Sequence, residues 1–269
     1  MEKIIEVNNL VKEFNGFRAV DNISFSVAKG EVFGFLGPNG AGKSTTIRML
    51  TTLIRPTSGQ AKVAGYDIAT QAAKVREQIG LVAEKIILYD RLTALENLMF
   101  FGSLYHLPRK EIKERAINWL KTLEMEKWAN KLTGTFSTGM KQRVNIARAL
   151  LTKPEVMFLD EPTLGLDPQT SRSIRDFIKE LHAQGVSVIL TTHIMPEADE
   201  LSDTIAIIDR GKIIALDTPT NLKARIQKEK PTLEDVFLEL TGHDMREETH
   251  ENIPSARGRH FLGSKSRIR

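Results

Sequence analysis

The sequence predicts an α/β fold, and three observations carry the prediction. A glycine-rich stretch, Gly37-Pro38-Asn39-Gly40-Ala41-Gly42-Lys43-Ser44-Thr45, stands between an apolar run and a segment with helical periodicity. Apolar runs of strand length alternate with helix-length segments before and after the middle of the chain. Between Thr93 and Trp128, long amphipathic helices interrupt that alternation, as an insertion would.

The glycine stretch fits the phosphate-binding pattern G-x-x-x-x-G-K-[ST]. Before it, Glu31-Val32-Phe33-Gly34-Phe35-Leu36 reads as a buried strand; after it, Ser44 to Leu53 starts a helix with Ile47, Leu50 and Ile54 at helical spacing. Gly37, Gly40 and Gly42 lack a Cβ, so the backbone can curl around a phosphate and turn its N–H groups inward at a helix N-terminus. Lys43 supplies a point charge for β- and γ-phosphates, and the Ser44 hydroxyl a ligand for Mg²⁺. The bland alternative, a glycine turn with a surface lysine, lacks a reason for the strand and helix on either side.

In order, Ile4 to Leu10 and Ile23 to Val27 read as strands, joined through a turn, Phe14-Asn15-Gly16-Phe17. Phe17 is assigned to the core; Phe14 has a second use, given below. Arg55-Pro56-Thr57-Ser58-Gly59 is a turn, Gln60 to Val63 a short strand, and Gly65-Tyr66-Asp67 another turn. Ala72 to Gln78 reads as a helix and Ile79 to Val82 as a strand. In the helical block, Leu95, Leu98 and Met99 share one face, as do Ile112, Ala116, Trp119, Leu120 and Leu123, with Leu107-Pro108-Arg109-Lys110 as the break. Leu132 to Gly139 is a loop and Lys141 to Leu151 a helix. The α/β alternation resumes with the strand Val156 to Leu159, a helix from Ser171 to Gln184 closed by Gly185, the strand Val186 to Leu190, a helix from Pro196, and strands Thr204 to Ile208 and Ile213 to Ala215 about the turn at Arg210-Gly211-Lys212.

Asp160 and Glu161 follow the strand Val156 to Leu159 directly. Strand residues alternate faces, so adjacent acids at a strand end point in different directions, one towards a metal and one towards a water. Asp160 is assigned to the metal and Glu161 to the general base that polarises water for attack on a γ-phosphate. A pair of solvated acids is the weaker reading in a chain that already has a phosphate cradle.

The 269 residues suffice for one large α/β domain, and the formal net charge is +4. That charge is weak support for nucleic-acid binding. Without cysteine there is no disulfide framework, thiolate nucleophile or cysteine zinc site, which fits a reducing compartment. No apolar run approaches the roughly 18 residues of a membrane span. Met1-Glu2-Lys3-Ile4-Ile5-Glu6 leads into a strand pattern, not a signal peptide, so the expectation is a soluble intracellular chain that meets membranes only through a partner. Residues 243–269 are set apart as a basic, solvated tail; after Glu251 they carry Arg257, Arg259, Lys265, Arg267 and Arg269 and no acid. A docking segment for anionic lipid or RNA is the sharper alternative there.

Three further motifs complete an ordered set. Phe136-Ser137-Thr138-Gly139-Met140-Lys141-Gln142-Arg143 looks like a signature loop, Thr163-Leu164-Gly165-Leu166-Asp167 like a D-loop, and Thr191-Thr192-His193 like a switch histidine. With the two phosphate motifs, they make residues 1–242 resemble the ATP-binding subunits of ABC transporters. The resemblance implies a P-loop NTPase core with an antiparallel β subdomain and a helical subdomain at about residues 91–150. It implies ATP and Mg²⁺ as cofactors, Phe14 stacked on adenine, and a γ-phosphate contact from His193. It implies that Ser137 and Gly139, with Asp167, serve a nucleotide shared with a second ATP-binding subunit. It further implies an integral membrane permease as partner, no nucleic acid, and a location at the inner face of the cell membrane. Two departures stand out. Glu84 occupies the place of the family's Q-loop glutamine, where a carboxylate could ligate Mg²⁺, and Thr138 replaces a glycine, which demands ordinary backbone angles or strain. The Ser-Thr-Gly-Met form, with Leu92 to Leu98 and Thr232 to Phe237, looks like the export-type branch. A soluble relative acting on ribosomes or DNA and a non-hydrolysing nucleotide sensor are the rival readings.

Overall fold

The computed structural model describes residues 2–242. The basic tail assigned to 243–269 lies outside the described residues. The chain opens with β1 (Lys3–Phe14) and β2 (Phe17–Ala28), then β3 (Val32–Leu36), α1 (Lys43–Leu50), β4 (Ser58–Val63), β5 (Tyr66–Asp67), α2 (Ala72–Gln78) and β6 (Ile79–Val82). Helices α3 (Ala94–Leu104), α4 (Arg109–Thr122) and α5 (Thr138–Leu150) follow. The last part holds β7 (Val156–Asp160), α6 (Pro168–Ala183), β8 (Ser187–Thr192), α7 (Met195–Leu201), β9 (Thr204–Asp209), β10 (Lys212–Asp217), α8 (Pro219–Ala224) and α9 (Leu233–Thr241).

Two sheets divide these strands. One is antiparallel, in the order β2-β1-β4-β5; the other runs β10-β9-β3-β8-β7-β6 and is parallel except at β10. Strands β3 and β7 are buried at every position, as the covered centre of a parallel sheet requires. Phe25 of β2 meets Phe33 and Phe35 of β3 with ring centroids 5.2 Å apart, so the two sheets share a core with Ile47, Met49 and Leu50 of α1. A second core, on α5, α6 and the helical block, contains Ile174, Phe177, Ile178 and Leu181, a single stripe of α6. Asn97 of α3 is fully buried, accepting from the Tyr89 N–H at 2.8 Å and donating to the Tyr89 carbonyl at 3.1 Å, which fastens the helical block to the loop before it.

Several expected boundaries move. Phe17 is 66 % exposed, not core. Asn15 and Gly16 both have positive φ, a tight hairpin turn that pairs Phe14 with Phe17 at a tip beyond the packed part of the sheet. Tyr66 and Asp67 pair with Val63 and Lys62 as β5, because the turn is made one step earlier by Ala64 and Gly65. Helix α5 begins at Thr138, with Ser137 as its cap, and α6 begins at Pro168, with Asp167 as its cap. Serine and aspartate accept the free N–H groups of a first turn, so residues read as loop initiate helices.

Candidate nucleotide site

The site forms at the carboxyl ends of β3, β7 and β8, where open parallel sheets bind ligands. Gly37 leaves β3 so close to its neighbour that a Cβ would lie 2.1 Å from the Ile208 carbonyl oxygen. Gly42, at φ +105°, would place one 2.4 Å from the Ala19 carbonyl oxygen. Both closures are against backbone, so the curl of the loop depends on glycine. Ala41 is buried, and helix α1 starts at Lys43.

A cleft of about 290 Å³ lies over this loop. Its walls are Pro38, Asn39, Gly40, Gly42 and Lys43–Thr45, with Glu84, Glu161 and Leu164. Lys43 is only 5 % exposed; its Nζ donates to the carbonyls of Gly37 at 2.7 Å and Pro38 at 3.1 Å, and stands 3.3 Å from Glu161 Oε1. Burial holds its pKa below the usual lysine range, although Glu161, Asp160 and Glu84 all favour its charge. Ser44 Oγ donates to Asp160 Oδ1 at 2.9 Å, and the fully buried Thr191 hydroxyl donates to the same oxygen at 2.6 Å. The predicted metal-binding hydroxyl and carboxylate, 116 positions apart in sequence, are therefore neighbours.

Asp160 and Glu161 do diverge, for a sharper reason than strand alternation. Asp160 is the last residue of β7, whereas Glu161 has φ 51°, a left-handed conformation uncommon for glutamate. Its N–H donates to the Thr191 hydroxyl at 3.0 Å, and its Oε2 lies 2.9 Å from His193 Nδ1. Burial pushes the Glu161 carboxyl up, but His193 and Lys43 outweigh it and hold it below the ordinary glutamate value. The bond to Glu161 raises His193, against the opposing effect of burial.

Of the remaining predicted residues, Phe14, Ser137, Gly139 and Asp167 do not line this cleft. Phe14 is 45 % exposed at the hairpin tip, with Lys12 Nζ 4.8 Å from its ring centre. Ser137 is exposed, and Gly139 is buried against Thr170, whose Cγ2 would be 2.7 Å from an added Cβ. Asp167 is exposed and spends its carboxylate on the N–H and hydroxyl of Thr170, bonds that hold its pKa low. Thr138 is the first helical residue of α5 and is absent from the positive-φ positions, so the glycine replacement carries no backbone strain. Glu84 is exposed on the cleft wall. Among the described residues no group of three or more histidine, cysteine or acidic side chains could cage a metal. Sequence reasoning named Thr191 only within the His193 motif and missed that it serves both acids, and it missed Glu197, buried behind them; the local signal is a polar residue inside an otherwise buried strand or helix face.

Comparison with known proteins adds to this geometry. A family model described as ABC transporter matches residues 20–164. The linearmycin resistance ATP-binding protein of Bacillus subtilis is 46 % identical over 223 residues, covering 83 % of this chain and 72 % of that protein. A probable multidrug ABC transporter ATP-binding protein of Escherichia coli is 42 % identical over 254 residues, 93 % of this chain but 43 % of that longer protein. Among solved structures, an ATP-binding subunit of an ABC transporter superposes with a TM-score of 0.80 at 31 % identity, covering 88 % of this chain and 99 % of the other.

Proposed function

The chain belongs to the ABC transporter family of ATP-binding proteins and hydrolyses ATP, and from that premise we propose how its residues divide the work. The phosphates of ATP sit in the Gly37–Thr45 cradle, and Lys43 turns from the Gly37 and Pro38 carbonyls towards them. Ser44 and Asp160 hold Mg²⁺, with Glu84 as a further acid on the cleft wall. A hydroxyl and one carboxylate in contact, 2.9 Å apart, suit Mg²⁺, which is ordinarily bound through one or two carboxylates and not by a dedicated protein cage. When bound, the ion would supply charge neutralisation for phosphoryl transfer.

Glu161 accepts the proton of the attacking water, and His193 orients that water and the γ-phosphate. The observation that carries this reading is the 2.9 Å contact of His193 Nδ1 with Oε2 of Glu161, a residue that lines the phosphate cleft. Lys43 Nζ stands 3.3 Å from Glu161 Oε1; when Lys43 serves the phosphates, the carboxylate is free to take a proton.

Ser137, Gly139 and Asp167 do not line the cleft of their own chain. From the resemblance to the family we assign them to the nucleotide of a second copy, head to tail, and Phe14 to the adenine in its own chain. Residues 1–242 form the ATP-binding domain, with the helical subdomain at about 91–150. The partner is an integral membrane permease, a reading supported by membership of the ABC transporter family; no described helix is long and apolar enough to cross a membrane. The subunit works at the cytoplasmic face, its membrane contact is indirect, and the drug-resistance relatives favour export as the direction.

Glu161→Gln tests the assignment. Phosphate release is expected to fall by about 10²–10⁴, the usual share of a general base, while ATP binding persists and an ATP-bound dimer accumulates in light scattering. Turnover close to that of the unsubstituted protein would remove Glu161 from the role.

A further inference from the structure

Glu197 has no place in the nucleotide cleft, yet it is 1 % exposed. It lies in the first turn of α7. Its Oε1 accepts from the Thr163 hydroxyl at 2.7 Å and its Oε2 from the Thr192 hydroxyl at 2.6 Å. Thr192 Oγ1 in turn accepts from the Ile194 N–H at 3.0 Å. Thr163 follows Glu161 by two residues, and Thr192 directly precedes His193. One carboxylate thus ties together the two segments that carry the catalytic pair. Gln142 of α5 secures the first segment from another direction, donating to the Pro162 carbonyl at 2.8 Å.

The chemistry of this tie is costly. A buried acid whose hydrogen-bond partners are two neutral hydroxyls pays a desolvation penalty that an apolar side chain of similar volume would avoid. Burial accordingly pushes its carboxyl above the ordinary glutamate value, against the two hydroxyl bonds. What a carboxylate does that an apolar group cannot is accept two short bonds in fixed directions, one per oxygen, and so set the spacing of two loops. An amide cannot reproduce it. Both threonine hydroxyls donate to Glu197, and an amide has only one oxygen to accept from them; its NH2 would have to reverse one of the two bonds, and with it the hydroxyl hydrogen.

We propose that Glu197 is a positioning residue for ATP hydrolysis: by joining Thr163 to Thr192 it fixes the separation of Glu161 and His193. The inference rests on the catalytic pair assigned above. It separates from stability because its effect passes through His193. A misplacement of about 1 Å in such a pair costs roughly 10²-fold in rate.

The test measures single-turnover hydrolysis and ATP affinity side by side for Glu197→Gln, His193→Ala and the double variant, with Thr163→Val and Thr163→Ser as a second route. Glu197→Gln is expected to slow hydrolysis by about 10- to 100-fold with ATP affinity changed less than about threefold. On the His193→Ala background it is expected to add less than about twofold, since residues that act as a unit are non-additive. Thr163→Val is expected to be slow and Thr163→Ser to recover most of the rate. Full additivity with His193→Ala, an unchanged rate in Glu197→Gln, or a loss confined to ATP affinity would each overturn the proposal. If Glu197→Gln does not fold, the Thr163 pair decides: equal rates in Val and Ser overturn it. An unimpaired His193→Ala would instead overturn the catalytic pair itself, and this inference with it.

Discussion

Replacing Lys43 by methionine keeps most of the side-chain volume and removes one charge from the centre of the site. That charge faces Glu161 Oε1 at 3.3 Å, with both side chains more than nine-tenths buried. At an effective dielectric constant of about 20, such a pair is worth about 5 kcal/mol of Coulomb energy. The net value is smaller, because Lys43 is itself desolvated, as its lowered pKa records. Removing one partner of a buried pair costs about 3–5 kcal/mol, and Glu161 retains His193 at 2.9 Å, which places the loss near the low end. A loss of about 3 kcal/mol lowers the melting temperature by about 6–12 °C in a domain of this size. Calorimetry without nucleotide measures it. Adding Glu161→Gln on the Lys43→Met background removes the stranded carboxylate and is expected to recover part of the loss, giving a positive coupling in the double-mutant cycle. In the same variant ATP affinity is expected to fall about 10- to 150-fold, the value of a charged hydrogen bond. Additive melting shifts, or an unchanged ATP titration, would refute the reasoning.

Two more outcomes follow from particular contacts. Phe14→Ala is expected to weaken ATP binding by about 1–3 kcal/mol, the range for base–aromatic stacking, while Phe17→Ala at the same hairpin tip leaves it unchanged; equal effects from both would deny Phe14 its role. The His193–Glu161 contact gives stability a pH dependence with two edges. His193 is raised, so its contribution is complete below about pH 6.5 and is lost as pH climbs through its higher folded value. Glu161 is lowered, so its contribution is complete above the ordinary glutamate value and is lost only on further acidification. The melting-temperature gap between the protein and His193→Gln is therefore expected to narrow as pH rises from about 6.5 to 9; a gap that is constant or widens over that range contradicts the assignment.

The local chemistry was readable where one short segment contains it. Gly37, Gly42, Lys43 and Ser44 form a cradle because glycine spacing, a cation and a hydroxyl all act within a few residues of a strand-to-helix turn. Capping residues are equally local, yet Ser137 and Asp167 read as loop, because a helix start is recognised only after the helix itself has been bounded. Phe17 misled because hydrophobicity favours burial, while the Asn15-Gly16 turn sets it at an exposed sheet tip. The divergence of Asp160 and Glu161 could be anticipated; the left-handed backbone at Glu161 could not, since the Thr191 backbone and hydroxyl that receive its N–H come from another strand.

The amino-acid order by itself determined the α/β class, the glycine loop, the adjacent acids and, through short motifs in a fixed order, the family, because each motif is written in adjacent residues whose chemistry is independent of distant partners. Only the tertiary structure decided that Ser44 touches Asp160, that Lys43 is held by Glu161, that Thr191 serves both acids, and that Glu197 joins the segments behind them. Those contacts require β3, β7 and β8 to lie side by side with their carboxyl ends level. That register is set by burial of whole strands against two cores, a free energy spread over many residues and legible at none of them singly.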